Sequence, residues 1–352
     1  MNIPELWWNR LVNSVRFIDD VKDVLMDNKS VIMNFKGDIP WIDTMCYTLE
    51  QQLAFMTDER SFEVHDVSGT ELSPGEYLFE RFCTESERKK YWPCKHRNHE
   101  RFLAENNNTT LNRRICCITG LTAGNAGAWL RSVTEYLQNR NSEERGIFIL
   151  VVQNFKTVET EYLGNICYRD YVSDYDSLML CLTLLSSEKC CSILKRYVSE
   201  IATNIAGDDV ETAGLLASEG LNLSKDPLKT AERVFRENDL STDFLTERVE
   251  SAVWEAQLKM VFPRLEEIRR NIIQKYSSTI GKYLPVTSTF SERIKPHEME
   301  IAQLYHISCH HKFFDKKDSE MIKFIRDIRN MLAHRNIIAF DDFNYITCEC
   351  CN

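Results

Sequence analysis

Apolar positions along the chain change period at about residue 172. Before it, short apolar runs alternate with segments of helical spacing. Leu11, Val15, Ile18, Val21 and Leu25 recur at the helical period and predict a helix over residues 4–27, with Leu6 about one turn upstream. Ser30–Phe35 reads as a strand, Gly37–Pro40 as a turn, and a helix follows to about Phe55. Phe62–Val67 alternates apolar and polar as a strand does. Ser73 and Glu76 form a capping box that opens a further helix. Lys89–Asn112 is polar and reads as a long connection. Arg114–Thr119 is a third strand, followed by the loop Gly120-x3-Gly124-x2-Gly127 and a helix through Gln138. Gly146–Val152 is apolar throughout, the pattern of a strand covered on both faces, and Asn165–Tyr168 is a fifth strand.

After Ser173 the strand signals stop. Residues 174–245 read as helical with a loop near Asn222–Pro227. Three more helices are predicted over Glu250–Tyr276, Pro296–Ile307 and Ser319–His334. In the last, Met321, Ile325, Ile328 and Leu332 form an apolar stripe. The expected architecture is therefore a three-layer α/β domain with a mostly parallel sheet over 1–172, a helical linking region over 173–245, and an all-α bundle over 246–345.

Composition sets the class. The chain has 352 residues, 43% hydrophobic and 27% charged, an ordinary globular balance. No apolar run approaches the roughly 20 residues that span a bilayer. The first ten residues lack a basic region followed by an apolar one, so no signal peptide is expected. Thirteen cysteines, scattered or adjacent, read as reduced thiols, and the expected compartment is the cytoplasm. The Asn107–Thr110 run matches a glycosylation acceptor with no other sign of secretion.

The net charge of −10 conceals an asymmetry. Lys259–Arg335 holds 15 basic and 9 acidic residues, a balance of +6, against 28 and 44, or −16, in the remainder. A polyanion would be attracted to the C-terminal part.

Several chemistries are tested by spacing. A phosphate-binding loop needs Gly-x4-Gly-Lys-Ser/Thr between strand and helix. After Phe35, Lys36–Pro40 offers one glycine and no Lys-Ser/Thr pair, and the Gly120–Gly127 loop is followed by Ala128-Trp129, without the phosphate lysine. Val151-Val152-Gln153-Asn154 lacks the acidic residues of a Mg²⁺-binding strand. The N-terminal domain resembles a degenerate P-loop ATPase core, and no nucleotide or other cofactor is expected. Cys94, His96 and His99, and Cys309–His311 with Cys348–Cys351, carry metal-ligand residue types without paired spacing, so no metal site is assigned.

The remaining chemistry is the hexapeptide Arg329-Asn330-Met331-Leu332-Ala333-His334 at the end of the last helix. Arginine suits a phosphate, and histidine moves protons near neutral pH. On one straight helix the two lie about 140° apart, whereas Asn330 and His334 share a face. Convergence needs a helix end near Ala333 or a second subunit. The Arg-Asn-x-Leu-Ala-His signature resembles the HEPN superfamily, over roughly residues 246–340, with Trp254–Gln257 and Phe262-Pro263 standing where an earlier long helix of such a bundle would lie. The resemblance implies a metal-independent endoribonuclease of a prokaryotic antiviral defence or toxin system, working as a homodimer. Arg329 would hold the scissile phosphate, His334 would transfer the proton, and Asn330 would orient the histidine or the phosphate. Lys323, Arg326 and Arg335 would contact RNA. The alternative is a catalytically silent adaptor whose vestigial nucleotide-binding domain docks a separate ATPase or effector. A protein partner is expected in either case, and a membrane is not.

Overall fold

The computed structural model describes residues 2–54, 60–140, 143–156, 161–284 and 295–349. The chain folds as two units, Met1–Leu180 and Cys181–Asn352. Phe55 and the cysteines at 350 and 351 lie outside the described residues.

The first unit runs α1 (Ile3–Arg10), α2 (Val12–Met26), β1 (Ser30–Phe35), α3 (Ile42–Ala54), β2 (Ser61–Asp66), α4 (Pro74–Phe82), α5 (Glu85–Arg88), α6 (Pro93–His96), α7 (His99–Glu105), β3 (Arg114–Leu121), α8 (Ala126–Asn139), β4 (Ile147–Gln153) and β5 (Leu163–Cys167), and α9 (Asp174–Leu184) crosses into the second. The five strands form one sheet in the order β2-β3-β4-β1-β5, every pair parallel. β4 is buried from Ile147 to Val152, as its unbroken apolar run requires. Side chains alternate across it. Ile32, Ile118, Phe148 and Leu150 join Leu78, Phe82, Trp129 and Tyr136 on one face. On the other, Phe17 of α2 meets Phe35, with ring centroids 5.6 Å apart, and Cys46 of α3 meets Cys117. The three-layer α/β expectation holds.

Three local expectations are corrected. The helix expected over 4–27 breaks at Leu11, whose backbone is extended (φ −77°, ψ 125°). The break lets α1 bury Trp7 and Trp8 while α2 turns Phe17, Ile18, Val21 and Leu25 inward. The expected connection 89–112 contains α6 and α7, and α7 buries Phe102, Leu103 and Ala104. Asn98 caps α7 by accepting from the Arg101 N–H at 3.0 Å. The loop expected at Asn222–Pro227 is largely α12, broken only at Asp226.

The second unit continues with α10 (Ser192–Ala206), α11 (Val210–Ser218), α12 (Leu221–Lys225), α13 (Pro227–Glu237), α14 (Leu245–Ile280), α15 (Ile301–His310), α16 (Lys316–Ala333), α17 (Phe340–Asn344) and a π-helical segment, Tyr345–Glu349. Asp226 N-caps α13, with Pro227 in the first turn. The regions expected to separate at residue 245 share one core. Tyr197, Ile201, Leu216 and Val234 pack with Val249, Ala256, Ile328 and Leu332. A second, smaller core joins Ile272, Ile273 and Ile280 of α14 to Leu304, Ile307 and Ile322. Residues 174–180 group with the sheet, where Asp176 accepts from Asn13 Nδ2 at 2.9 Å. No helix among the described residues is long and apolar enough to cross a membrane.

Candidate functional site

Helix α16 presents the hexapeptide. Asp315 caps its start by accepting from the Asp318 N–H at 2.7 Å. Its buried stripe is Ile322, Ile325, Ile328 and Leu332, with Met321 at the margin. The helix stops at Ala333, and His334 is its C-cap (φ −95°, ψ 18°). Arg335 takes the left-handed conformation at φ 59°. The Arg335 N–H reaches the Leu332 carbonyl at 3.1 Å and the Asn336 N–H reaches the Met331 carbonyl at 2.9 Å. This is a Schellman closure made without glycine. A non-glycine residue in that region carries strain on the order of 1–3 kcal/mol. The Arg335 guanidinium lies over the Trp254 ring, 5.0 Å from its centroid, which opposes that strain.

Two residues of α14 fix this end, and the sequence reading assigned a role to neither. Trp254 Nε1 donates to the Leu332 carbonyl at 2.8 Å. The Gln257 amide grips Ile338 from both sides, accepting from its N–H at 2.9 Å and donating to its carbonyl at 2.9 Å. Gln257 is buried and also donates to the Tyr197 hydroxyl at 3.2 Å. The available signal was a lone amide in the otherwise apolar run Val253, Ala256, Met260, Val261, three residues from a tryptophan.

The six predicted site residues divide as follows. Arg329, Asn330 and His334 are all exposed. Arg329 Nη1 donates to Asn330 Oδ1 at 3.4 Å. The His334 side chain has no hydrogen bond or ion pair among the described residues. Arg326, Arg329 and Asn330 line a cleft of about 290 Å³ that also holds Arg269, Glu266 and Glu298. Arg269 is committed to the Glu266 carboxylate and the carbonyls of His297 and Met299. Arg326 is paired with Asp327 and stacked on Tyr305, 3.7 Å from the ring centroid. Arg329 has no carboxylate partner among the described residues. Lys323 is exposed on the same helix. Arg335 lines a different cleft, of about 440 Å³, with Glu247, Glu250 and Trp254. Within one chain, therefore, Arg329 and Asn330 come together at a cleft that His334 does not line.

The positions with metal-ligand residue types are used otherwise. His96 is buried and 3.1 Å from Glu105, and His99 stacks on Phe79 with ring centroids 4.6 Å apart. His311 stacks on Tyr283 at 3.9 Å, and His310 contacts the His306 carbonyl. The described part of the tail does not return to Cys309; Cys348 meets Cys191 instead. Among the described residues no cluster of three ligand groups suits a metal ion.

The phosphate-loop positions of the first unit are also occupied. Trp8 Nε1 donates to the Pro40 carbonyl at 2.9 Å, and Trp7 lies 6.2 Å from Trp41, so indoles fill the loop after β1. In the loop after β3, the Asn125 and Ala126 N–H groups both turn back to the Thr122 carbonyl. Just before that loop, within β3, Gly120 at φ +75° is needed, because a Cβ would strike Asp66 and Ser68.

No protein-family model matches the chain, and no curated protein matches it. The HEPN resemblance thus rests on the hexapeptide and its helical setting. Among solved structures, the chain is similar to one titled "Structure of C. elegans PCH-2", at 13% identity and a TM-score of 0.34, over 70% of this chain and 73% of that one.

Proposed function

We propose that the helical unit binds RNA at Arg329 and Asn330 and cleaves it without a metal, using His334 from a second copy of the chain. The observation that carries this reading is the idleness of the two key side chains. A purely structural Arg-x4-His would tie the helix end to its surroundings. Here Trp254, Gln257 and the Schellman bonds do that work, and Arg329 and His334 stand exposed without an acidic or backbone partner among the described residues.

In the proposed reaction Arg329 donates charge-assisted hydrogen bonds to the scissile phosphate. His334 takes the proton of the ribose 2′-OH as that oxygen attacks phosphorus, and the 5′-oxygen leaves with a proton taken from water. The products are a 2′,3′-cyclic phosphate and a 5′-hydroxyl. Asn330 orients the phosphate beside Arg329. Lys323 and Arg326 add positive charge on the same helix, and Arg335 adds it at the other cleft. The biological setting proposed is a prokaryotic defence or toxin module.

The test is cleavage of total RNA in EDTA. His334→Ala and Arg329→Ala each lower the rate by about 100-fold or more, the scale of one acid–base group. Mixing the two inactive variants restores cleavage, because a mixed dimer holds one intact pair. Absence of metal-independent cleavage by the unmodified chain, alone or with partner proteins, refutes the reading. The adaptor reading then stands in its place, favoured by the indole-filled loop after β1, which leaves the sheet a docking rather than a catalytic part.

A further inference from the structure

The tail after Ile338 meets α10 at the Phe343 ring, and its π-helical end packs against α14. Phe343 stacks on Tyr197 with ring centroids 4.0 Å apart and planes 24° apart. The Thr347 hydroxyl, buried, donates to the Phe343 carbonyl at 2.8 Å and continues the helical segment. From Tyr197 the α10 axis runs back about 9 Å to its N-cap, Cys191. From Phe343 the tail advances through Ile346 to Cys348. The two segments pass in opposite directions, and Cys348 arrives at Cys191 within hydrogen-bonding reach of its sulfur. Cys190 and Cys348 both pack against the core that Tyr197 and Phe343 share. Cys191 is exposed, whereas Cys190 and Cys348 are half-buried.

We infer that Cys191 and Cys348 form a reversible disulfide that fastens the C-terminal segment to the start of α10. Accessibility assigns the order of steps. Cys191 meets a small oxidant first, and Cys348 stands behind it as the resolving thiol. Burial, with the neighbouring Cys191, pushes the Cys348 thiol up to about 11, so it is protonated while Cys191 reacts. With a glutathione-type disulfide as oxidant, the Cys191 thiolate attacks one sulfur and forms a mixed disulfide, releasing one glutathione thiolate. Cys348 then gives its proton to water and attacks the Cys191 sulfur, releasing the second glutathione. Two protein thiols are oxidised and one glutathione disulfide is reduced to two thiols. Cys190 is a poor competitor, because a disulfide between adjacent residues closes a strained small ring.

The experiment treats the full-length chain with oxidised glutathione, blocks remaining thiols and maps disulfides by peptide mass spectrometry. The expected result is loss of two of the thirteen thiols, a Cys191–Cys348 cross-link, and recovery of both thiols with dithiothreitol. Cys190→Ser keeps the cross-link, and Cys191→Ser and Cys348→Ser abolish it. Differential labelling of the unmodified protein gives the answer without any variant: Cys191 and Cys348 lose reactivity together. Persistent glutathione on Cys191 with Cys348 free overturns the inference, as does pairing of Cys191 with Cys190, Cys350 or Cys351.

Discussion

Gln257→Met removes the clamp on Ile338 while nearly conserving volume. If the side chain merely filled space, such a swap would cost under about 1.5 kcal/mol. The structure predicts more. Ile338 is 2% exposed, and its N–H and carbonyl both bond to the Gln257 amide. Methionine leaves two backbone groups buried without partners, at about 1–3 kcal/mol each. The expected loss is about 3 kcal/mol, which raises the local opening constant roughly 100-fold. Urea denaturation measures the first quantity, and hydrogen exchange in the 336–347 peptide measures the second. Tyr197→Phe is the control. It removes only the 3.2 Å bond to Gln257, keeps the Phe343 stack, and costs about 1 kcal/mol. A Gln257→Met loss below about 1 kcal/mol, with exchange over 336–347 unchanged, refutes the assignment of Gln257 as the anchor of the helix end.

Trp8→Phe strips the bond to the buried Pro40 carbonyl and is expected to destabilise the first unit by about 1–3 kcal/mol in thermal melts. The same variant gains no binding of fluorescent ATP, because the loop Lys36–Pro40 has no Lys-Ser/Thr pair to hold phosphate and Mg²⁺; measurable binding contradicts that account. At the foot of α16, Lys275 bonds to Asp315 at 2.8 Å and to Asp318 at 2.6 Å. Lys275 holds the Asp315 carboxyl down at about 2, from an ordinary 3.8. The stability this supplies is therefore complete above about pH 4 and disappears as pH falls through about 2. Lys275→Met flattens that part of the stability–pH curve, and an unchanged acid limb sinks the assignment.

Much of the first unit was legible because burial on both faces leaves strong marks. The unbroken run Ile147–Val152 could hardly be anything but a central strand. What escaped detection was set by distant partners. Nothing local at Leu11 announces a break; it follows from tucking Trp7 and Trp8 beside the β1 loop. Helix α7 was hidden in a polar stretch because only Phe102 and Leu103 mark its inner face. At the candidate site, the helix ends at Ala333, one of the two arrangements the hexapeptide left open, yet His334 does not reach the cleft that Arg329 lines. No glycine signals that end, since Arg335 adopts the left-handed turn itself. The grip of Gln257 on Ile338 spans 81 residues, and no pattern of period or spacing reports a bond that long.

Three helices of the second unit contribute to both of its cores, α15 through Ile301 in the larger and Leu304 and Ile307 in the smaller, and the two longest, α14 and α16, run side by side. α14 enters the larger core at Leu245–Leu265 and the smaller at Ile272–Ile280. α16 does the reverse, with Ile322 in the smaller core and Ile325–Leu332 in the larger. Bonds from Trp254 to Leu332 and from Lys275 to Asp315 tie the antiparallel pair near both ends. One helix bridging two cores would be a pivot, especially with Pro263 omitting a backbone hydrogen bond from α14. Two helices side by side make a braced strut. A push at Asp315 is delivered about 27 Å away at His334, with little room to be absorbed between them.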